Sequence, residues 1–164
     1  MEDRFFEVIV PRRPRPQDTV GKVLLIAGTV LAAAGALLVS RVFFLLLVGF
    51  IVADYFIFPR FNVEYEYSYL NGEIDVAAIY SKQSRKNLET ITLENAECIA
   101  PSGSHRLDSF GVTFKVVDYS SGDPSHRTFA IVKGGSDSRK YLLELDDRML
   151  EDLKWRLPGK VFQD

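Results

Sequence analysis

One cysteine, Cys98, stands in a chain of 164 residues, so no internal disulfide can form and a reducing compartment fits best. Two histidines, His105 and His126, complete no Cys/His set with zinc-ligand spacing. The glycines form neither GxGxxG nor a GxxxxGK run ending in Ser or Thr, which excludes the common phosphate-cradling loops. No cofactor is implied. An excess of positive charge is also missing: the formal net charge is -2, and the segment from Arg60 onward holds 14 basic against 17 acidic side chains. Without a basic stripe to displace counterions, nucleic acid is not an expected partner.

Charge of either sign is nearly absent from one stretch. The 37 residues from Val23 to Pro59 carry only Arg41 and Asp54. A single helix of that length would measure roughly 55 Å, against about 30 Å of bilayer hydrocarbon, whereas two spans of roughly 17 residues fit. Ser40-Arg41 marks the break, giving Val23 to Val39 and Val42 to Phe58. The first is rich in Ala and Gly and the second in Phe and Leu, a composition in which small residues let the other helix pack close. Arg12, Arg13, Arg15 and Lys22 precede the pair, Arg60 follows it, and the turn has only Arg41, so both termini are expected on the cytoplasmic side of a cell membrane. A cleaved signal peptide, with LAAAGA as cleavage region and Arg12-Arg13 as a twin-arginine signal, is the competing reading; the long proline-broken leader and the second apolar span argue against it. Asp54 is expected to reach the interface beside Tyr55, and a role in ion or proton movement would need a second ionisable group at depth.

From Asn62 the period becomes two, the signature of half-buried strands. Val63, Tyr65, Tyr67 and Tyr69 share one face, and Asn71-Gly72 supplies a type I′ hairpin turn before Ile74, Val76, Ala78 and Tyr80. Strands are then expected over Asn87–Leu93, Ala96–Ala100, Val112–Asp118, Thr128–Lys133 and Lys140–Leu145, separated by SKQSRK, PSGS, SSGDPS and KGGSDS. After Leu145, Asp146 and Asp147 open an amphipathic helix with Met149, Leu150, Leu153 and Leu157 at helical spacing, closed by Pro158-Gly159. The expected organisation is a polar cytoplasmic leader over 1–22, a transmembrane hairpin over 23–58, a β domain over 62–157 and a tail over 158–164.

Seven strands followed by one helix resembles the pleckstrin-homology-like fold, in which two sheets form a partly open barrel plugged at one end by a C-terminal α-helix. FNVEYEY, NGEIDV and IAPSGS, within a resemblance running over about residues 22 to 157, are similar to a family of small uncharacterised bacterial membrane proteins joining two membrane spans to such a domain. The resemblance implies a fold and a place at the membrane. The phosphoinositide-binding members of the wider fold carry Lys and Arg about the first hairpin loop; here that loop is Asn71-Gly72 between Leu70 and Glu73, so the usual inositol-phosphate site is missing.

No local signature makes Cys98 a nucleophile or either histidine its base, and Glu94, Glu97, Asp146 and Asp147 lack calcium-loop spacing. The chain is therefore not expected to be an enzyme. The reading is a membrane-anchored scaffold or interaction module in contact with the lipid bilayer and a protein partner; the alternative is an accessory subunit of a larger transporter or enzyme assembling through its spans. The basic run Lys82, Arg85 and Lys86 is the expected membrane-surface contact, since anionic lipids attract juxtamembrane cations.

Overall fold

The computed structural model describes residues 5–110, 114–135 and 138–163. Its elements run β1 (Phe5–Pro11), α1 (Pro16–Leu38), α2 (Val42–Ile57), β2 (Val63–Leu70), β3 (Glu73–Tyr80), β4 (Ser84–Thr92), β5 (Ala96–Pro101), β6 (Lys115–Asp118), β7 (Phe129–Lys133), β8 (Arg139–Leu143) and α3 (Asp147–Arg156), with 3-10 turns at Phe58–Phe61 and His105–Phe110. They form two compact units, one of residues 13–63 and 80–84, the other of the remaining described residues.

The first unit is the apolar hairpin. α1 starts with Pro16, seven residues before the apolar run, because Pro suits the first helical position and the Asp18 carboxylate accepts the Arg15 N–H at 3.0 Å. Gly21, Gly28 and Gly35 recur every seven residues on α1, and a methyl group at any of them would come within 3.0 Å of Phe61, Phe50 or Phe43 respectively. A seven-residue repeat keeps one helix face toward its neighbour, so each missing side chain seats a ring. Asp54, four residues before the end of the second apolar span, accepts a hydrogen bond at its Oδ2 from the Thr29 hydroxyl on α1 at 2.7 Å. α1 and the helix that runs from Val42 through Phe61, α2 with the 3-10 turn after it, are each long and apolar enough to cross a membrane.

The second unit holds two sheets. β1-β2-β3-β4 forms one and β5-β7-β8-β6 the other, with β6 parallel to β8 and the pairs β5/β7 and β7/β8 antiparallel. β1 is the eighth strand. It lies inside the segment expected as a polar leader and pairs antiparallel with β2, from Phe5 opposite Leu70 to Pro11 opposite Glu64. The expected tail is also structured, since residues 160–162 add to β5: Ile99 N–H donates to the Lys160 carbonyl, Phe162 N–H donates to the Ile99 carbonyl, and Val161 bridges Ile99. The strand expected over Val112–Asp118 is seen from Lys115 to Asp118; Val112 and Thr113 lie outside the described residues, as do Ser136 and Asp137 of the β7–β8 turn.

Asn71 and Gly72 adopt positive φ (50° and 91°), the type I′ geometry their sequence predicts. Tyr65, Tyr67 and Tyr69 are buried along one face of β2, with Ile74, Val76 and Ala78 on β3. Met149, Leu150 and Leu153 of α3 are fully buried, as the amphipathic spacing predicts, and Leu157 is half-buried at the helix end. β5 and β7 are covered on a second side: Cys98, Ala100, Ala130 and Val132 pack with Leu107, Phe110, Phe114 and Phe162. Burial on both faces explains the small residues there, because a strand between two layers leaves little room for side chains.

Candidate functional site

The residues expected at the membrane surface do not form one loop. Ser81 and Lys82 make the β3–β4 turn in the left-handed region (φ 47° and 58°), closed by Gln83 N–H donating to the Tyr80 carbonyl at 3.0 Å. Arg85 and Lys86 belong to β4, where neighbouring side chains point to opposite faces. The Arg85 guanidinium is engaged by the buried Glu66 carboxylate, while Lys82 and Lys86 stay exposed. A run contiguous in sequence is thus divided by a tight turn.

The first hairpin loop has a structural task. Asp152 on α3 is 3% exposed and accepts a hydrogen bond from the Tyr69 hydroxyl at 2.5 Å and another from Arg156 Nε at 2.8 Å. The same guanidinium reaches the Asn71 side-chain oxygen at 3.2 Å. Tyr69, Asp152, Arg156 and Asn71 therefore latch α3 to the β2–β3 turn, and the cation nearest that turn is committed to a carboxylate. Burial raises the Tyr69 pKa above its ordinary value, with the Asp152 carboxylate adding to it, and the same carboxylate raises that of Arg156. Sequence reasoning missed Asp152, whose i, i+4 spacing to Arg156 reads as an ordinary surface pair.

A second polar centre joins β4 to the other sheet. The Glu89 carboxylate accepts hydrogen bonds from Arg139 at 2.6 Å, Tyr141 at 2.8 Å and Tyr119 at 3.4 Å. Burial and then this carboxylate push the Tyr119 pKa up to about 12. The centre lines a cleft of about 690 Å³ that also carries Glu94, Glu97, Lys133 and Lys160. Three carboxylates against three cations leave no net charge there to concentrate an ionic ligand.

Ser121, His126 and Glu144 come together in a grouping that sequence spacing did not reveal. His126 Nδ1 lies 3.1 Å from Glu144 Oε2 and 3.4 Å from the Ser121 hydroxyl, while that hydroxyl and the Ser121 N–H both donate to Glu144 Oε1. A nucleophile relay needs the imidazole between serine and acid, one nitrogen to each. Here one nitrogen faces both, and the carboxylate takes the serine proton directly, so the group braces the loop following β6. Cys98 sits in the apolar cluster of the second sheet, and burial raises its thiol pKa above the ordinary value, which disfavours the thiolate. His105 Nδ1 pairs instead with Asp108 at 3.2 Å. Among the described residues, no three His, Cys, Asp or Glu side chains are placed to hold a metal ion.

Two β-sheets closed by an amphipathic helix, with polar groups engaged in bracing, make this a PH-like domain accompanied by two candidate membrane helices. The chain belongs to the bacterial PH-like domain family (DUF6106), whose model matches residues 2–163. No curated protein and no solved structure matches it. PH-like domains are in general non-enzymatic binding modules, and the match brings no catalytic family with it.

Proposed function

We propose that the chain is a membrane-anchored, non-enzymatic interaction module, multi-pass with both termini cytoplasmic, that docks a protein partner at the cytoplasmic face. The pairing of β1 with β2 carries this reading. β1 precedes the apolar hairpin and β2 follows it, so the hairpin is an insertion between two neighbouring strands of one sheet. Strands that pair must lie on the same side of a membrane, which favours an even number of crossings and fits two helices. Arg12, Arg13, Arg15, Lys22 and Arg60 at the sheet ends of the hairpin, against Arg41 at its turn, favour the cytoplasm for that side. Lys82, Arg85 and Lys86 are proposed to face lipid, each contributing about 1 kcal/mol near an anionic surface, with Arg85 weakened by its pairing to Glu66. Assembly with a larger complex through the helices loses its main support, because the glycine face of α1 is already filled by Phe43, Phe50 and Phe61.

Cysteine labelling tests the topology. In a Cys98→Ala background, a cysteine at Ser40 should react with an impermeant thiol reagent outside intact cells, and one at Gln17 should not; the reverse pattern overturns the orientation. Tagged full-length protein extracted from native membranes in mild detergent should carry a stoichiometric protein partner. Isolation as a lone chain with catalytic turnover would overturn the module reading.

A further inference from the structure

We infer that the outer face of the β1-β2-β3-β4 sheet is the docking surface, and that its occupant is a cationic amphipathic helix of a partner protein. This rests on the module reading above and specifies where and what the module binds.

Strand alternation defines the face. Tyr65, Tyr67 and Tyr69 point to the core, so Glu66, Ser68 and Leu70 point outward. Leu70 is directly opposite Phe5, Ser68 opposite Glu7 and Glu66 opposite Ile9. On β3 the exposed Glu73 and Asp75 share this face, and they bond across to the Thr92 and Thr90 hydroxyls of β4. Three large apolar side chains consequently stand in solvent there: Phe5 at 58%, Ile9 at 53% and Leu70 at 45% exposure. Phe5 and Leu70 form a cross-strand pair, a ready contact for a third side chain. Around them lie the exposed carboxylates Glu7, Glu73 and Asp75, of which Glu73 and Asp75 accept hydrogen bonds from neutral hydroxyls.

This combination selects among occupants. A sheet face with apolar side chains is covered in folded proteins by another layer, most simply a helix. Around Phe5 and Leu70 an anionic bilayer would be repelled by Glu7, Glu73 and Asp75, which lie toward the Thr90–Thr92 end of β4, whereas Arg85 and Lys86 lie at its opposite end. A second copy offering the same face would bring like charges together, which costs rather than stabilises. A helix with apolar residues at i, i+3 and i+4 toward Phe5, Ile9 and Leu70, and Lys or Arg beside them, satisfies both features. Glu73 and Asp75 are two residues apart on one strand, about 7 Å. Cations at i, i+4 on a helix stand about 6 Å apart, a matching interval.

The test uses the full chain in native bacterial membranes. Photoreactive benzoylphenylalanine is placed at Leu70, and separately at Trp155, an exposed residue on α3. The Leu70 probe should give a protein adduct whose crosslinked segment, identified by mass spectrometry, is net positive with apolar residues at helical spacing. Glu73→Lys with Asp75→Lys should lower the yield by about tenfold, and Glu73→Gln with Asp75→Asn by about fivefold, with unchanged urea unfolding midpoints. An adduct with lipid, with a second copy, or with a neutral or acidic segment overturns the inference. Adducts from the Trp155 probe alone would move the dock elsewhere while leaving the module reading intact. No protein adduct from either probe overturns both.

Discussion

Replacing Asp152 with Ala removes the centre of the latch between α3 and the first hairpin. Asp152 is buried at 3% exposure, and its carboxylate serves the Tyr69 hydroxyl at 2.5 Å and Arg156 at 2.8 Å. Truncation strands the tyrosine hydroxyl in the interior, which costs about 1–3 kcal/mol, and deletes a hydrogen bond to a charged group worth about 1.5–3 kcal/mol. The Arg156 contribution is smaller, because that side chain is 28% exposed and water can replace its partner. These terms overlap, so the expected loss is about 2–4 kcal/mol. Tyr69→Phe removes the donor and leaves Asp152 with Arg156, for an expected loss of about 1–2 kcal/mol. Glu151→Ala, exposed on the same helix, should change stability by less than about 0.5 kcal/mol.

Urea unfolding of the full chain in nonionic micelles, followed by circular dichroism, measures all three variants. A double-mutant cycle of Tyr69→Phe with Asp152→Ala should give a coupling of at least about 1 kcal/mol. A loss below about 0.5 kcal/mol for Asp152→Ala, or strict additivity in the cycle, would refute the latch. The buried apolar face of α3 would then have to hold the helix alone.

Stability should fall as pH rises from about 10 to about 12, because Tyr119 holds its proton in the folded state to about 12 while the unfolded chain releases it near 10.0, and the buried Tyr67, Tyr69 and Tyr141, also raised, add to the fall; Tyr119→Phe should make the fall shallower without removing it, in urea midpoints measured on either side of the window. Cys98 should react slowly with thiol reagents in the native protein and quickly in urea, and Cys98→Ala should cost about 1 kcal/mol and leave partner recovery unchanged; loss of recovery in a folded variant would return chemistry to the thiol. Gly28→Leu with Gly35→Leu should push Phe50 and Phe43 from their seats and raise amide exchange along α1, α2 and β1; protected amides throughout would show that the glycine repeat does not hold the hairpin.

Local pattern revealed the parts whose physics is local. Asn71-Gly72 turns because both residues accept positive φ, the alternating tyrosines face inward because strand side chains alternate, and Met149, Leu150 and Leu153 meet the core because helical spacing puts them on one stripe. β1 was hidden for a different reason. FFEVIVP is a fair strand by composition, but its partner lies 52 residues beyond Pro11, and periodicity says nothing about which strand completes a sheet. The same gap hid Asp152 and Glu89, each a surface-like carboxylate until Tyr69 or Tyr141 arrives from another strand. For Lys82, Arg85 and Lys86 the sequence shows a contiguous run but neither the left-handed turn at Ser81 and Lys82 nor the pairing of Arg85 with Glu66, because both depend on how the strands fold back.

The inserted hairpin changes how the first sheet can close. Joining β1 to β2 through a flexible loop of 52 residues would cost about 3.5 kcal/mol in closure entropy, before any constant term. That is comparable to what seven residue pairs of an edge strand return once their own ordering is counted. In this chain the connection is not flexible. Pro16 and Asp18 start α1, the turn about Ser40 and Arg41 reverses it, and Phe43, Phe50 and Phe61 lock α2 against Gly35, Gly28 and Gly21, so the two ends of the connection are brought back together by packing within it. β1 is thus joined to β2 through a connection ordered by its own packing. A lesion deep in the hairpin should loosen the edge strand that carries Phe5 and Ile9, making partner binding on the sheet face sensitive to how the apolar helices pack.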